Sequence, residues 1–249
     1  MIQNLHIYKS PEELANEFAW QLMNWVETHS GNEFNLAISG GKTPDLLFSV
    51  LAEKYADSAL WQKVHFWWVD ERMVSPNDPE SNFGVATKLL FSKIKLSEEN
   101  IHRIKGENNH KSEALSYSAQ IQEHLTFRNG WPQFDLILLG MGDDGHTASI
   151  FPDQLKLLES EQICQVATHP VSGQKRITLT GKVINNADKV CFLVTGSNKA
   201  RLLAEILNKS SKAALLPASY IKAKAWYVDE AAIQLIGEQN LSDYGRNNN

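Results

Sequence analysis

The chain has 249 residues, a formal net charge of −5, 43% hydrophobic and 21% charged residues, the balance of an ordinary globular protein. An acidic chain without a run of Lys and Arg offers no basic footprint, so neither nucleic acid nor a membrane surface is expected as a partner. No stretch approaches the ~18 continuous apolar residues of a membrane span, and Met1-Ile2-Gln3-Asn4-Leu5-His6 lacks the basic and apolar regions of a signal peptide, so a cytoplasmic location is expected.

In chain order, the first element is a helix. Ser10-Pro11-Glu12-Glu13 supplies an N-cap, a proline at the first helical position and a capping-box Glu13. Leu14, Phe18, Leu22, Trp25 and Val26 then share one helical face. Phe34–Ile38 reads as a short strand running into Ser39-Gly40-Gly41-Lys42-Thr43-Pro44. Thr43 is expected to cap a second helix there, with Pro44 first inside it and Leu46, Leu47, Val50 and Leu51 on its inner face. A strand over Val64–Val69 ends at Asp70-Glu71-Arg72, and one over Phe134–Leu139 ends at the glycine-rich loop Gly140–Gly145. Another over Lys189–Thr195 ends at Gly196-Ser197-Asn198-Lys199 and a helix. Strands apolar on both faces predict an α/β, Rossmann-like fold: a mostly parallel sheet with helices on both faces. Ligands of such sheets bind beyond the carboxyl ends of the strands, and all four polar motifs fall there. Residues 1–241 read as a single domain and 242–249 as a polar tail expected to fray.

Ser39-Gly40-Gly41-Lys42-Thr43 joins a strand, a glycine pair and a helix start, which points backbone N–H groups and a helix dipole at an anion such as phosphate. Ser39 and Thr43 would add hydroxyl donors; the plainer alternative is a tight turn in which Thr43 only caps its helix. It is not a Walker A motif, because Leu36 stands where that pattern needs its first glycine. Gly140-Met141-Gly142-Asp143-Asp144-Gly145 matches G-x-G-x-x-G, but Asp143 and Asp144 would face a pyrophosphate and Pro152 leaves little room for the long helix. The same loop suits acid–base catalysis. Asp144 and His146 place a carboxylate beside an imidazole that exchanges protons near neutral pH, the alternative being a capping Asp beside a hydrogen-bonded loop His.

Asp70 and Arg72 read as a polar cleft residue and an anion contact, or else as part of an internal ion pair. Asn82 either lines the same cleft or caps the helix of Phe83-Gly84-Val85. Arg176 and Lys199, each ordinary as a surface charge, would together complete a phosphate cage as a fork and a point charge. No metal is expected, since His6, His29, His65, His102, His110, His124 and His169 show no zinc spacing. Cys164 and Cys191 lie in apolar runs without a CxxC and read as buried, reduced thiols. The seven tryptophans read as core and cleft-wall residues, with Trp67 and Trp68 on opposite strand faces.

Taken together, these motifs resemble the 6-phosphogluconolactonase family, within the wider group that includes glucosamine-6-phosphate deaminases. The matching stretches are Ser39–Pro44, Trp68-Val69-Asp70-Glu71-Arg72, Gly140–Pro152, Arg176–Thr180 and Gly196–Ala200. The resemblance implies hydrolysis of a phosphorylated sugar lactone in the oxidative pentose phosphate pathway, with no redox cofactor. The deaminases carry Asp-Glu-Tyr in place of Asp70-Glu71-Arg72, and a catalytic Glu where this chain has Phe151. The expected site has His146, Asp144 and Asp70 as catalytic residues, with Ser39, Gly40, Gly41, Thr43, Arg72, Asn82, Arg176 and Lys199 binding substrate. No nucleophilic serine is expected, for want of a Gly-x-Ser-x-Gly elbow. Either a monomer or a small homo-oligomer fits the sequence.

Overall fold

Local signals at the first helix take effect almost as written. In the computed structural model, which describes residues 4–237, α1 (Pro11–Thr28) opens with Ser10 Oγ accepting the Glu13 N–H at 3.3 Å. The Glu13 carboxylate reaches the Lys9 N–H (2.6 Å), one residue before the position a capping box requires. Leu14, Phe18, Leu22 and Val26 are buried, while Trp25 is half-buried and meets Phe18 edge-on at 5.9 Å.

The strands follow as β1 (Leu5–Tyr8), β2 (Phe34–Ile38), β3 (Val64–Trp68), β4 (Asp70–Arg72), β5 (Ile101–His102), β6 (Phe127–Arg128) and β7 (Trp131–Pro132). After them come β8 (Leu136–Leu139), β9 (Cys164–Thr168), β10 (Lys175–Leu179), β11 (Lys189–Val194) and β12 (Ala225–Asp229). The remaining α-helices are α2 (Lys42–Tyr55), α3 (Asn82–Leu89), α4 (His110–His124), α5 (Gly181–Asn186), α6 (Ala200–Leu207) and α7 (Glu230–Ile233).

Seven strands form a parallel sheet in the order β1-β12-β11-β8-β2-β3-β5. Every residue of β8 and β12 is buried. Successive strand side chains point to opposite faces, so both faces of the sheet are covered, as the apolar runs predicted. From β2 the chain builds outward through β3 to β5; from β8 it builds the other way through β11 to β12. The direction reverses between β2 and β8, where Leu36 pairs with Leu136 and Ala37 with Ile137. At such a reversal the flanking loops diverge and leave a crevice beyond the strand ends.

Three expectations need correction. Asp70-Glu71-Arg72 is not merely the end of a strand: it forms β4, which joins β10 and β9 in a second, antiparallel sheet of three strands. Thr43 does not cap α2; Gly41, at φ +116°, takes the N-cap position and the helix starts at Lys42. Trp67 and Trp68 are fully buried and Trp20 is 59% exposed. Among the described residues no tryptophan lines the crevice. Cys164 and Cys191 are buried free thiols, and burial pushes both up to about 12. The expected domain end at residue 241 and the tail 242–249 lie outside the described residues.

Candidate active site

A cleft of about 630 Å³ opens at the β2/β8 reversal. Its walls bring together residues spread over most of the sequence. Ser39, Gly40, Gly41 and Thr43 come from the β2–α2 turn, Asp70 and Arg72 from β4, and Asn82 from the start of α3. His146 comes from the loop after β8, Arg176 from β10, and Lys199 from the turn after β11. Of the expected site residues, only Asp144 is set back from the cleft.

The β2–α2 turn offers an anion the free N–H groups of the first turn of α2. The Ser39 hydroxyl is already committed as a donor, contrary to its expected role, and the Thr43 hydroxyl is paired with another threonine. Ser39 Oγ donates to the Leu138 carbonyl at 2.8 Å, stapling β2 to β8. Thr43 Oγ1 lies 2.7 Å from Thr195 Oγ1, which draws it toward β11 and away from capping. Gly40 is a requirement of packing, since a Cβ there would fall 1.9 Å from Asn82 Oδ1. Asn82 Nδ2 donates to the Asp70 carbonyl at 2.9 Å, which fixes Asn82 in the cleft wall. The capping role belongs instead to Ser81, whose Oγ accepts the Gly84 N–H at 3.0 Å.

Glu71, between Asp70 and Arg72, binds backbone rather than a cation. Its carboxylate accepts the backbone N–H groups of Arg72, Asn82 and Phe83, each at 2.8 Å, and the Ser81 hydroxyl at 3.2 Å. Burial pushes this carboxyl up, and the backbone bonds oppose the push. The effect is to clamp the start of α3 onto β4, with Asp70 and Arg72 on either side. Asp70, 5% exposed, accepts the Ser149 hydroxyl at 2.6 Å and so holds the far end of the β8 loop.

Arg72 and Arg176 face each other in register across β4 and β10. Burial lowers Arg176, with Asp70 acting against that and Arg72 adding to it. Arg176 lies over the Phe151 ring, 5.5 Å from its centroid, and its Nε reaches Gln174 Oε1 at 3.3 Å. Arg72 donates to the Glu80 carbonyl at 2.6 Å, while its buried Nε makes no hydrogen bond among the described residues. Two arginines from paired strands lining one cleft favour an anionic ligand there.

His146 stands on a tight loop. Gly142 N–H donates to the His146 carbonyl at 2.8 Å, and Gly145 turns the chain at φ +82°. Asp144 Oδ1 lies 2.5 Å from His146 Nδ1 and accepts the His146 N–H at 3.0 Å. This fixes the ring with Nδ1–H toward the carboxylate and leaves Nε2 as a base. Burial pushes the Asp144 carboxyl up, but the hydrogen bonds and charge of His146 override it, and it settles at about 2. The ring crosses so close to the backbone that a Cβ at Gly142 would lie 2.1 Å from Nδ1. Ala148 holds a left-handed φ of +50°, pinned by the Ile150 N–H to Thr147 carbonyl bond (2.9 Å) and by Ser149 on Asp70.

Lys199 pairs with Asp143, whose Oδ1 also accepts Asn198 Nδ2 at 2.7 Å. Sequence reasoning missed this contact, as it missed Ser149 and Thr195. The one local signal for Asp143 was its carboxylate beside Asp144, read only as an argument against a dinucleotide. Among the described residues no group of three or more His, Cys, Asp or Glu side chains is placed to hold a metal ion, and no helix is long and apolar enough to cross a membrane.

A crevice at the reversal point of a parallel sheet, lined by cations and carrying a carboxylate-oriented imidazole, defines an α/β enzyme built for a small anionic substrate. The model of the glucosamine-6-phosphate isomerase/6-phosphogluconolactonase family matches residues 9–229. A 6-phosphogluconolactonase of Haemophilus influenzae is 43% identical over 230 residues, covering 90% of this chain and 94% of that protein. The crystal structure of a devB protein superposes with a TM-score of 0.88 at 39% identity, covering 95% of this chain and all of the other (100%). The 6-phosphogluconolactonase of Leishmania guyanensis superposes at 0.82 with 26% identity, over 95% of this chain and 100% of that one. The chain belongs to the glucosamine-6-phosphate isomerase/6-phosphogluconolactonase family.

Proposed function

We propose that this protein hydrolyses the ester of 6-phospho-D-glucono-1,5-lactone to 6-phospho-D-gluconate, with His146 as general base. The observation that carries this reading is the Asp144–His146 pair, 2.5 Å apart, at the wall of a cleft that also holds Arg72, Arg176 and Lys199.

The substrate's phosphate sits at the N-terminus of α2 beside Gly40, Gly41 and Thr43, between Arg176 and Lys199. Held there, it orients the lactone carbonyl toward the β8 loop, so remote binding energy works at the reacting carbon. His146 Nε2 takes a proton from water as the water oxygen attacks the carbonyl. The resulting imidazolium is stabilised by the Asp144 carboxylate. The tetrahedral intermediate collapses, the ring C–O bond breaks, and His146 returns its proton to the departing oxygen, which becomes the C5 hydroxyl. The new carboxylic acid then ionises, so each turnover releases one proton to solvent. The unbonded Nε of Arg72 makes that side chain a donor for the phosphate or for the developing oxyanion.

Phe151 favours the lactonase over the deaminase reading. Where the deaminases carry a catalytic Glu, this chain has a fully buried phenyl ring packed 4.8 Å from the His146 ring. An amino-sugar isomerase would lack its carboxylate there.

The test is a pH-stat measurement of acid release from freshly made 6-phosphogluconolactone, above its spontaneous hydrolysis, with unphosphorylated gluconolactone in parallel. The phosphorylated lactone is expected to turn over faster by orders of magnitude. Arg176→Ala should raise KM about 10- to 100-fold, the loss of a charge-assisted contact, with a smaller change in kcat. Equal rates on the two lactones would refute the phosphate cage, and no acid release above background would refute the activity.

A further inference from the structure

The adjacent aspartates of the β8 loop serve different parts of the site. Asp144 turns back onto His146, whereas Asp143 reaches across to the turn after β11, where Lys199 and Asn198 converge on its Oδ1. The Lys199 side chain is only 16% exposed and that of Asp143 is 73% exposed, so the lysine is held in the wall by a carboxylate at the lip. All three residues line the cleft. The Lys199 hydrogen bond keeps the Asp143 carboxyl below its ordinary range, against the opposing push of burial.

An ammonium has three N–H donors but a single charge. A phosphate ester seated on Lys199 brings up to two further negative charges beside a carboxylate that already shares that ammonium. Asp143 therefore has two opposed effects. It pre-positions the Lys199 and Asn198 donors, and it repels the group they receive.

We propose that Asp143 is a positioning residue that sets the cleft's affinity for the phosphate group, aligning Lys199 and Asn198 while its own charge keeps the phosphorylated product from being held tightly. The inference rests on the reading of Lys199 as a phosphate clamp. Asp143→Asn separates the two effects, because it keeps an acceptor at Oδ1 and removes the charge.

The experiment is calorimetric titration of the full-length protein with 6-phosphogluconate and, separately, with inorganic phosphate and gluconate, alongside KM and kcat for the phosphorylated lactone. In Asp143→Asn, KM and the Kd for 6-phosphogluconate are expected to fall about three- to tenfold, the worth of one like charge removed at the exposed lip of the cleft. Inorganic phosphate should tighten in the same sense, gluconate should not, and Asp143→Glu should restore parental values. A merely structural role predicts the reverse, since a loosened Lys199 would weaken the product. Product affinity that is unchanged or weaker in Asp143→Asn, while Lys199→Ala weakens it tenfold or more, overturns this inference alone. If Lys199→Ala leaves product affinity unchanged, the phosphate-clamp reading falls and the inference falls with it.

Discussion

His146 and His102 occupy opposite kinds of environment in one molecule. His146 has Asp144 behind Nδ1, Phe151 beneath its ring and the cleft in front. His102, 3% exposed, stacks on Trp67 at 3.9 Å and 11°. Its Nε2 lies 3.0 Å from His65 Nδ1, the His124 ring meets it edge-on at 4.8 Å, and its Nδ1 faces Gln120 Nε2 at 3.5 Å. Burial, then the charges of His124 and His65, push His102 down to about 3. A carboxylate and an open side suit an imidazole to the proton-carrying role proposed for His146. An aromatic stack with two more imidazoles keeps it neutral and turns it into core.

The largest effect that tests this contrast is loss of the base. His146→Ala should lower kcat by about 10³-fold, within the usual range for general-base catalysis, with KM changed little; unchanged turnover would remove His146 from the mechanism. Next comes the geometry around it. Gly142→Ala places a methyl 2.1 Å from Nδ1 in the present position of the ring, so the ring or loop must shift. A loss of about 10- to 100-fold in kcat is expected from that displacement, with the thermal midpoint nearly unaltered. A fully active variant would show that the ring position is not critical.

The smallest effect concerns the other histidine. In the unfolded chain His102 protonates near its ordinary value of about 6.5, but in the folded protein only near 3. Between these values the unfolded state binds the extra proton, so stability is complete above about pH 6.5 and declines as pH falls. From pH 7 to pH 5 this amounts to about 2 kcal/mol, measurable by urea unfolding followed by tryptophan fluorescence. His102→Phe should flatten that dependence. If the variant keeps the parental slope, the acid sensitivity resides in another group.

Much of the site was legible because its residues come in short runs tied to strand ends. Asp144 and His146 are two positions apart, and Ser39 to Thr43 form one turn. Arg72 and Arg176 were each visible, but their side-by-side placement was not, because it depends on β4 pairing with β10. The seven histidines outside the loop looked scattered in sequence, yet strand pairing sets His102 beside Trp67 and α4 brings His124 onto both. The shifted cap of α2 has a similar origin, since Thr43 is drawn to Thr195 from 152 residues away.

By itself the sequence determined the alternation of apolar strands and helices, and hence that the motifs at Ser39, Gly140 and Gly196 would stand at carboxyl ends. Those features follow from periodicity and capping, which act over a few neighbouring residues. Only the tertiary structure decided which motifs meet: Ser149 with Asp70 across 79 positions, and Lys199 with Asp143 across 56. Strand order and register set those contacts, and no local pattern encodes the order β8-β2 that opens the cleft between them.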